Sequence, residues 1–225
     1  LQANDQYPVS VYAKDFDGNG SIDPIVTLYT KETNTSNIKK EYTLMSRDDI
    51  VSQLPSVRKE FPTYKEFANA DVHQIFPNDQ MKGALIKHAN NFKSCLLTNS
   101  GNGKFELLPL PDQAQISVLN GMVVDDFNDD GNLDVAICGN DYGTEVFNGR
   151  YDAMNGLVLM GDGKGNFSSQ TILQSGFYVP GDAKALVKLR GTNDSYLLAA
   201  SQNRGALKLF NHRDAEQKLI PLRQN

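Results

Sequence analysis

An all-β fold is what the sequence predicts: a partial β-propeller of about three four-stranded blades with a short helical insertion. Three observations predict it. Short β-branched runs are bounded by Gly, Asn and Asp, the pattern of strands joined by tight connections. A unit recurs at a fixed offset: Leu97-Thr-Asn-Ser-Gly-Asn-Gly-Lys-Phe105 matches Leu159-Met-Gly-Asp-Gly-Lys-Gly-Asn-Phe167, 62 residues later. A nine-residue acidic loop occurs twice, each time between strand-like runs. A period near 60 holding about four strands is the size of one blade, a sheet set radially around a channel.

The elements follow in order. Val9, Val11 and Ala13 alternate as a strand, and Ile25–Tyr29 forms its partner after the first acidic loop. A polar connection, Lys31 to Lys40, leads to a strand at Glu41–Met45. Ser46 is placed to cap a helix with Asp49 at N3, and Ile50, Val51 and Leu54 then share a face. Pro55 and Pro62 break this run, and two further short helices are expected at Pro62–Phe67 and Asp71–Phe76. Val57, Phe61, Tyr64 and Phe67 form the apolar set expected to pack on the sheet, with a partner-docking face as the alternative. Strand texture returns after residue 83, with runs at Ser94–Leu97, Gly121–Val124, Val135–Cys138, Ala185–Arg190 and Tyr196–Ala200. The blade-like repeats are therefore expected at about 1–105, 106–167 and 168–225, with the insertion at about 46–82. Three blades fall below the usual minimum of four. The chain is thus expected to be part of something longer, its ends completed by the rest of a larger propeller or by a partner chain.

Composition narrows the function classes. The 225 residues are 40% hydrophobic with a formal net charge of −5. There is no Lys/Arg cluster, which argues against nucleic acid as a partner. No apolar run approaches the roughly 20 residues of a membrane span. Cys95 and Cys138 lie in strand-like runs and are expected to be buried thiols, a single disulfide being the alternative. His73, His88 and His212 stand apart from one another and from Cys, so no zinc spacing exists. No Gly-x-Ser-x-Gly elbow is present. Gly161-Asp-Gly-Lys-Gly-Asn166 lacks the Gly-Lys-Ser/Thr ending of a phosphate loop. No catalytic residue is assigned, and the chain is expected not to be an enzyme.

The two acidic loops carry the strongest chemistry. Asp126, Asn128, Asp130 and Asp134 occupy positions 1, 3, 5 and 9 of one, with Gly131 at position 6. Asp15, Asp17, Asn19 and Asp23 do the same in the other, with Gly20 at the bend. Such alternation converges hard oxygen ligands on one point, which suits Ca²⁺ and its six to eight oxygens at about 2.3–2.6 Å. Position 12 is Val26 or Ile137 rather than the Glu of an EF-hand, and the flanks are strands rather than helices. Two Ca²⁺ sites are expected, each stiffening a strand–loop–strand hairpin; acidic turns that bind nothing are the alternative. Adding 62 residues to the second loop lands on Lys188, Arg190, Thr192 and Tyr196, where cationic side chains would repel a cation.

These loops, with the Leu-x-Asn-x-Gly-x-Gly-x-Phe element between them, resemble the FG-GAP/VCBS repeats, the blades of integrin α-like β-propellers. The match covers most of the chain and includes Gly101, Gly103 and Phe105, then Gly163, Gly165 and Phe167. The segments 46–64, 139–152 and 177–182 resemble large secreted or surface VCBS proteins of Bacteroidetes. The resemblance implies that the seventh loop residues, Ser21 and Asn132, add a backbone carbonyl to each site. It implies a calcium-braced fold, a secreted or outer-membrane, cell-surface location, and a longer polypeptide of which this is the C-terminal part.

The long connection Gly139–Asp152 is rich in Tyr, Arg and acids, and rigid scaffolds commonly carry function on such loops. Tyr142, Glu145, Arg150, Tyr151 and Asp152 are the candidate ligand surface; hydrogen bonds that merely hold the loop are the alternative. The expected function is extracytoplasmic binding or adhesion to a surface protein or glycan. The alternative is an accessory part of a surface enzyme.

Overall fold

The computed structural model describes residues 3–33, 35–146, 149–191, 195–213 and 218–221. The chain is mostly β, with short helices, and divides into two compact units, Leu1–Phe92 and Lys93–Asn225. The described strands form four antiparallel sheets rather than a closed barrel or a complete propeller.

In the first unit, β1 (Val9–Lys14), β2 (Asp23–Lys31), β3 (Lys39–Thr43) and β4 (Leu85–Ala89) form one sheet in the order β3-β2-β1-β4. The strand that enters the acidic loop is thus central. Five helices lie between β3 and β4: α1 (Arg47–Gln53), α2 (Val57–Glu60), α3 (Tyr64–Asn69), α4 (Val72–Ile75) and α5 (Asn78–Met81). Ser46, Thr63 and Asp71 each start a helix with a reciprocal capping box, the partner at N3 being Asp49, Glu66 and Gln74. The insertion is therefore helical, in five pieces rather than three. Ile50, Val51, Leu54, Val57, Phe67, Val72 and Ile75 pack with Tyr12 and Ile25 of the sheet. Tyr64 departs from the expected apolar set: it is exposed, and its hydroxyl donates to Asp48 Oδ2 at 2.8 Å.

In the second unit, β5 (Cys95–Gly101) and β6 (Lys104–Pro109) form a two-stranded hairpin. Two four-stranded sheets follow, each in chain order. The first is β7 (Leu119–Asp125), β8 (Asp134–Gly139), β9 (Leu157–Gly161) and β10 (Phe167–Gln170). After α6 (Ile172–Ser175) comes the second: β11 (Ala183–Arg190), β12 (Tyr196–Gln202), β13 (Lys208–Arg213) and β14 (Lys218–Pro221). They share a core in which Phe127, Cys138 and Val158 meet Phe177, Leu186, Leu198 and Phe210. β7 and β11 run close together: a Cβ on Gly121 would lie 2.3 Å from the Leu186 amide nitrogen, so only glycine fits.

The sequence repeat is a register repeat. Leu97↔Leu107, Thr98↔Glu106 and Asn99↔Phe105 in the β5–β6 hairpin correspond at the same offset to Leu159↔Ser169, Met160↔Ser168 and Gly161↔Phe167.

The third loop differs from its expected alignment. Lys14↔Asp23 and Asp125↔Asp134 close the two acidic loops, whereas Arg190↔Tyr196 closes the third, three residues shorter. Lys188 is therefore inside β11, opposite Leu198, rather than at the first loop position. Thr192 lies outside the described residues.

Candidate functional site

The two acidic loops adopt one hydrogen-bonding scheme. At position 1, Asp15 Oδ1 accepts from Asn19 N at 3.0 Å and Oδ2 from Gly20 N at 2.8 Å. Asp126 does the same with Asp130 N at 3.1 Å and Gly131 N at 2.7 Å. At position 3, Asp17 and Asn128 each accept from the amide of position 5. Position 5, Asn19 or Asp130, accepts in turn from the amide of Ser21 or Asn132. At position 9, Asp23 and Asp134 accept from the amides of Phe16 and Phe127, at 3.0 and 2.9 Å. Position 6 is left-handed in both loops, φ 89° at Gly20 and 83° at Gly131, which glycine permits without a Cβ penalty. Position 4 is left-handed too, at Gly18 and Asp129. Phe16 packs against the first unit's core and Phe127 is buried in the second's, so each loop is rooted in packing as well as in hydrogen bonds.

The charge distribution separates the two. In the first loop Asp15, Asp17 and Asp23 bring carboxylate oxygens within 4.8 Å of one another. This hard-oxygen set fits a cation such as Ca²⁺. It is the one acidic or His/Cys cluster of that kind among the described residues. In the second loop position 3 is Asn128, whose amide donates to Asp130 Oδ2 at 3.0 Å, so Asp126, Asp130 and Asp134 are not gathered in the same way. The Gly20 amide, chief among several, holds the Asp15 carboxyl below the usual carboxylate range. Asn132's amide does so for Asp130. Asp134 goes the other way: burial pushes it up, Asp130 and Asp126 adding to the shift, although Gly161 N and Phe127 N donate to it. Just before this loop, Asp125 is lowered: burial opposes ionisation, but the Lys188 ammonium, 2.5 Å from Oδ2, and the Tyr196 hydroxyl outweigh it.

The 139–152 connection is pinned at its base. Asp141 and Tyr151 form an antiparallel bridge, and Tyr142 N donates to the buried Asp182 at 3.3 Å. Arg150 stacks over the Tyr142 ring at 4.9 Å, while Glu145, Arg150, Tyr151 and Asp152 face solvent. The structure thus joins Tyr142 to Arg150 and leaves the other candidates as an exposed rim; residues 147–148 lie outside the described set. The buried Asn140, at φ 91°, organises the base. Its Nδ2 donates to Met154 O at 2.6 Å and Gly181 O at 2.8 Å, and its Oδ1 accepts from Ser117 Oγ and Met154 N.

Two features escaped the sequence reading. Glu41, with its side chain 4% exposed, accepts from Tyr12, Thr27 and Tyr29 hydroxyls, with His73 Nε2 at 3.8 Å. The strand alternation that puts Glu41 on the face of Tyr12 and Ile25 was the available signal. An open cleft of about 660 Å³ lies in the same unit, lined by Tyr42, Met45, Arg47, Tyr64, Phe67 and Asn69 among others. Cys138 is a buried thiol pushed up to about 11 by burial, whereas Cys95 is half-buried rather than buried; no disulfide joins them.

Burial, with the Glu41 charge next, raises the Tyr12 phenol well above its ordinary value of 10.0, and Tyr29 moves the same way. Both stay protonated in the folded chain after an unfolded tyrosine ionises. Their contribution is complete below about pH 10 and is lost as pH rises through the folded values. Alkaline titration is expected to unfold the first unit above about pH 10, and Tyr12→Phe to reduce that slope. Circular dichroism against pH tests it; equal slopes would remove the phenol from the account.

No known family model matches the chain, and no curated protein matches it.

Proposed function

We propose that the chain is part of a calcium-braced β-propeller of the FG-GAP/VCBS type and serves outside the cytoplasm as a non-catalytic recognition module for a surface protein or glycan. The observation that carries the reading is the shared scheme of the two acidic loops, one of which gathers three carboxylates within 4.8 Å. Two chain-order, four-stranded antiparallel sheets with a common core support the propeller part. Asp15, Asp17, Asn19 and Asp23, with the Ser21 carbonyl, would hold one Ca²⁺. Asp126, Asn128, Asp130 and Asp134, with the Asn132 carbonyl, would hold the second once the Asn128–Asp130 bond gives way. The ion supplies charge neutralisation and stiffening, and weak oxygen sites of this kind suit millimolar extracellular calcium. Among the described residues no helix is long and apolar enough to cross a membrane. The exposed rim at 142–152 and the cleft beside Tyr64 are the surfaces offered for recognition.

Calcium at about 100 times its Kd is expected to stabilise the fold by about 2.7 kcal/mol relative to chelator. For a chain of this size that raises Tm by about 5–10 °C. Asp17→Asn is the cleanest probe of the first loop, because Asp17 is exposed and the one backbone amide that donates to it is that of Asn19. Asp126→Ala tests the second loop. Each is expected to reduce the calcium-dependent rise while the melt in chelator moves less. Identical melts of the parent chain with calcium and with chelator would overturn the proposal.

A further inference from the structure

The β5–β6 hairpin and the β9–β10 hairpin share a sequence element and a residue-by-residue register, yet their surroundings differ. β9 is completed on its other edge by β8, through Val135↔Leu159, Ala136↔Val158 and Ile137↔Leu157, and β8 by β7. Leu157, Val158 and Leu159 are accordingly buried. Among the described residues, Leu96–Asn99 of β5 are hydrogen-bonded into a sheet with β6 only. Leu97, equivalent to the fully buried Leu159, is 58% exposed, and Phe105 and Leu107 on the same face are 58% and 56% exposed. The opposite face of this hairpin is not open in the same way: Leu96 and Leu108 lie against the β9–β10 turn at Gly165. The segments that the 62-residue offset assigns to β7 and β8, residues 57–63 and 72–77, fold largely as helices α2 and α4. The chain's own completed copy therefore shows what this edge and face are shaped to accept.

We propose that β5 is an acceptor edge for strand addition, and that its occupant is a β-hairpin of the β7–β8 kind, supplied by a separate stretch of polypeptide. Main-chain hydrogen bonds along Leu96–Asn99 provide the affinity, and alternate apolar side chains cover Leu97, Phe105 and Leu107. Charge agrees with this occupant. The 93–109 segment carries Lys93 and Lys104 against Glu106, whereas the β7–β8 hairpin carries Asp125, Asp126, Asp129, Asp130 and Asp134. The proposal goes beyond the calcium reading and does not need it, because β8 pairs with β9 through its backbone.

The test is hydrogen exchange on the full chain with a synthetic peptide of the Leu119–Gly139 sequence at up to about millimolar concentration, in calcium and again in chelator. The expected result, in either buffer, is exchange slowed about tenfold or more at residues 96–99, with a scrambled peptide giving none. Leu97→Asp, at an exposed position, is expected to leave the melt of the chain alone unchanged and to weaken peptide binding about tenfold or more through lost apolar cover and repulsion from the acidic loop. Absence of protection in both buffers would overturn the proposal, as would protection confined to other strand edges or binding indifferent to Leu97→Asp. A concentration-dependent dimer of the chain alone, abolished by Leu97→Asp, would make the occupant a second copy and equally overturn it.

Discussion

Asn140→Ala is expected to destabilise the 93–225 unit by about 3–5 kcal/mol, because it strips partners from two buried and two half-buried groups at once. Met154 O and Gly181 O lose a donor, and Ser117 Oγ and Met154 N lose an acceptor. An unsatisfied buried polar group costs about 1–3 kcal/mol, and local rearrangement recovers part of the sum. A second cost comes from the backbone, since alanine at φ 91° pays about 1 kcal/mol that asparagine partly escapes. Asn140→Gly removes that strain while keeping the lost bonds, so it should be milder than alanine by about 1 kcal/mol. Urea unfolding of the three proteins gives both terms. If glycine restored full stability, the hydrogen bonds would count for little. Because Tyr142 and Tyr151 spring from this base, the same substitution is expected to loosen the proposed recognition rim.

Glu41→Ala is expected to cost the first unit about 3–5 kcal/mol. It leaves the Tyr12, Thr27 and Tyr29 hydroxyls without their shared acceptor, and two of these residues are buried. Glu41→Gln retains one acceptor oxygen of similar shape and should fall between the two. Loss of the carboxylate also removes a charge that raises the Tyr12 and Tyr29 phenols, so their ionisation should move down in the folded variant. Absorbance of tyrosinate against pH reads this independently of stability. An unchanged tyrosine titration in Glu41→Gln would show that burial alone holds the phenols protonated.

Local chemistry was legible and long-range chemistry was not. The strand–loop–strand character of 9–29 and 119–139 follows from alternation and from Asp and Gly at loop positions, all set within a few residues. The α1 start was equally local: Ser46 and Asp49 form the capping box that their spacing implies. The pairing of β4 with β1 joins Val9 to Ala89 across the helical segment, and no pattern inside either strand names its partner. The Glu41 cluster draws on residues 12, 27, 29, 41 and 73, which converge through sheet register rather than spacing. The Lys188 alignment failed for a physical reason too. A constant offset assumes constant loop length, and the β11–β12 connection is shorter than the acidic loops.

The register-for-register match between the β5–β6 and β9–β10 hairpins also bears on how such a chain can lengthen. Two segments that pair identically at a fixed spacing can be exchanged by recombination without shifting any strand by one residue. A one-residue slip would turn every side chain to the wrong face. Growth or loss in whole units of this length leaves inside and outside preserved, whereas partial units do not. Ancestry by duplication, followed by replacement of one unit's inner strands with helices, would leave the pattern seen here: one hairpin fully roofed and its twin half bare.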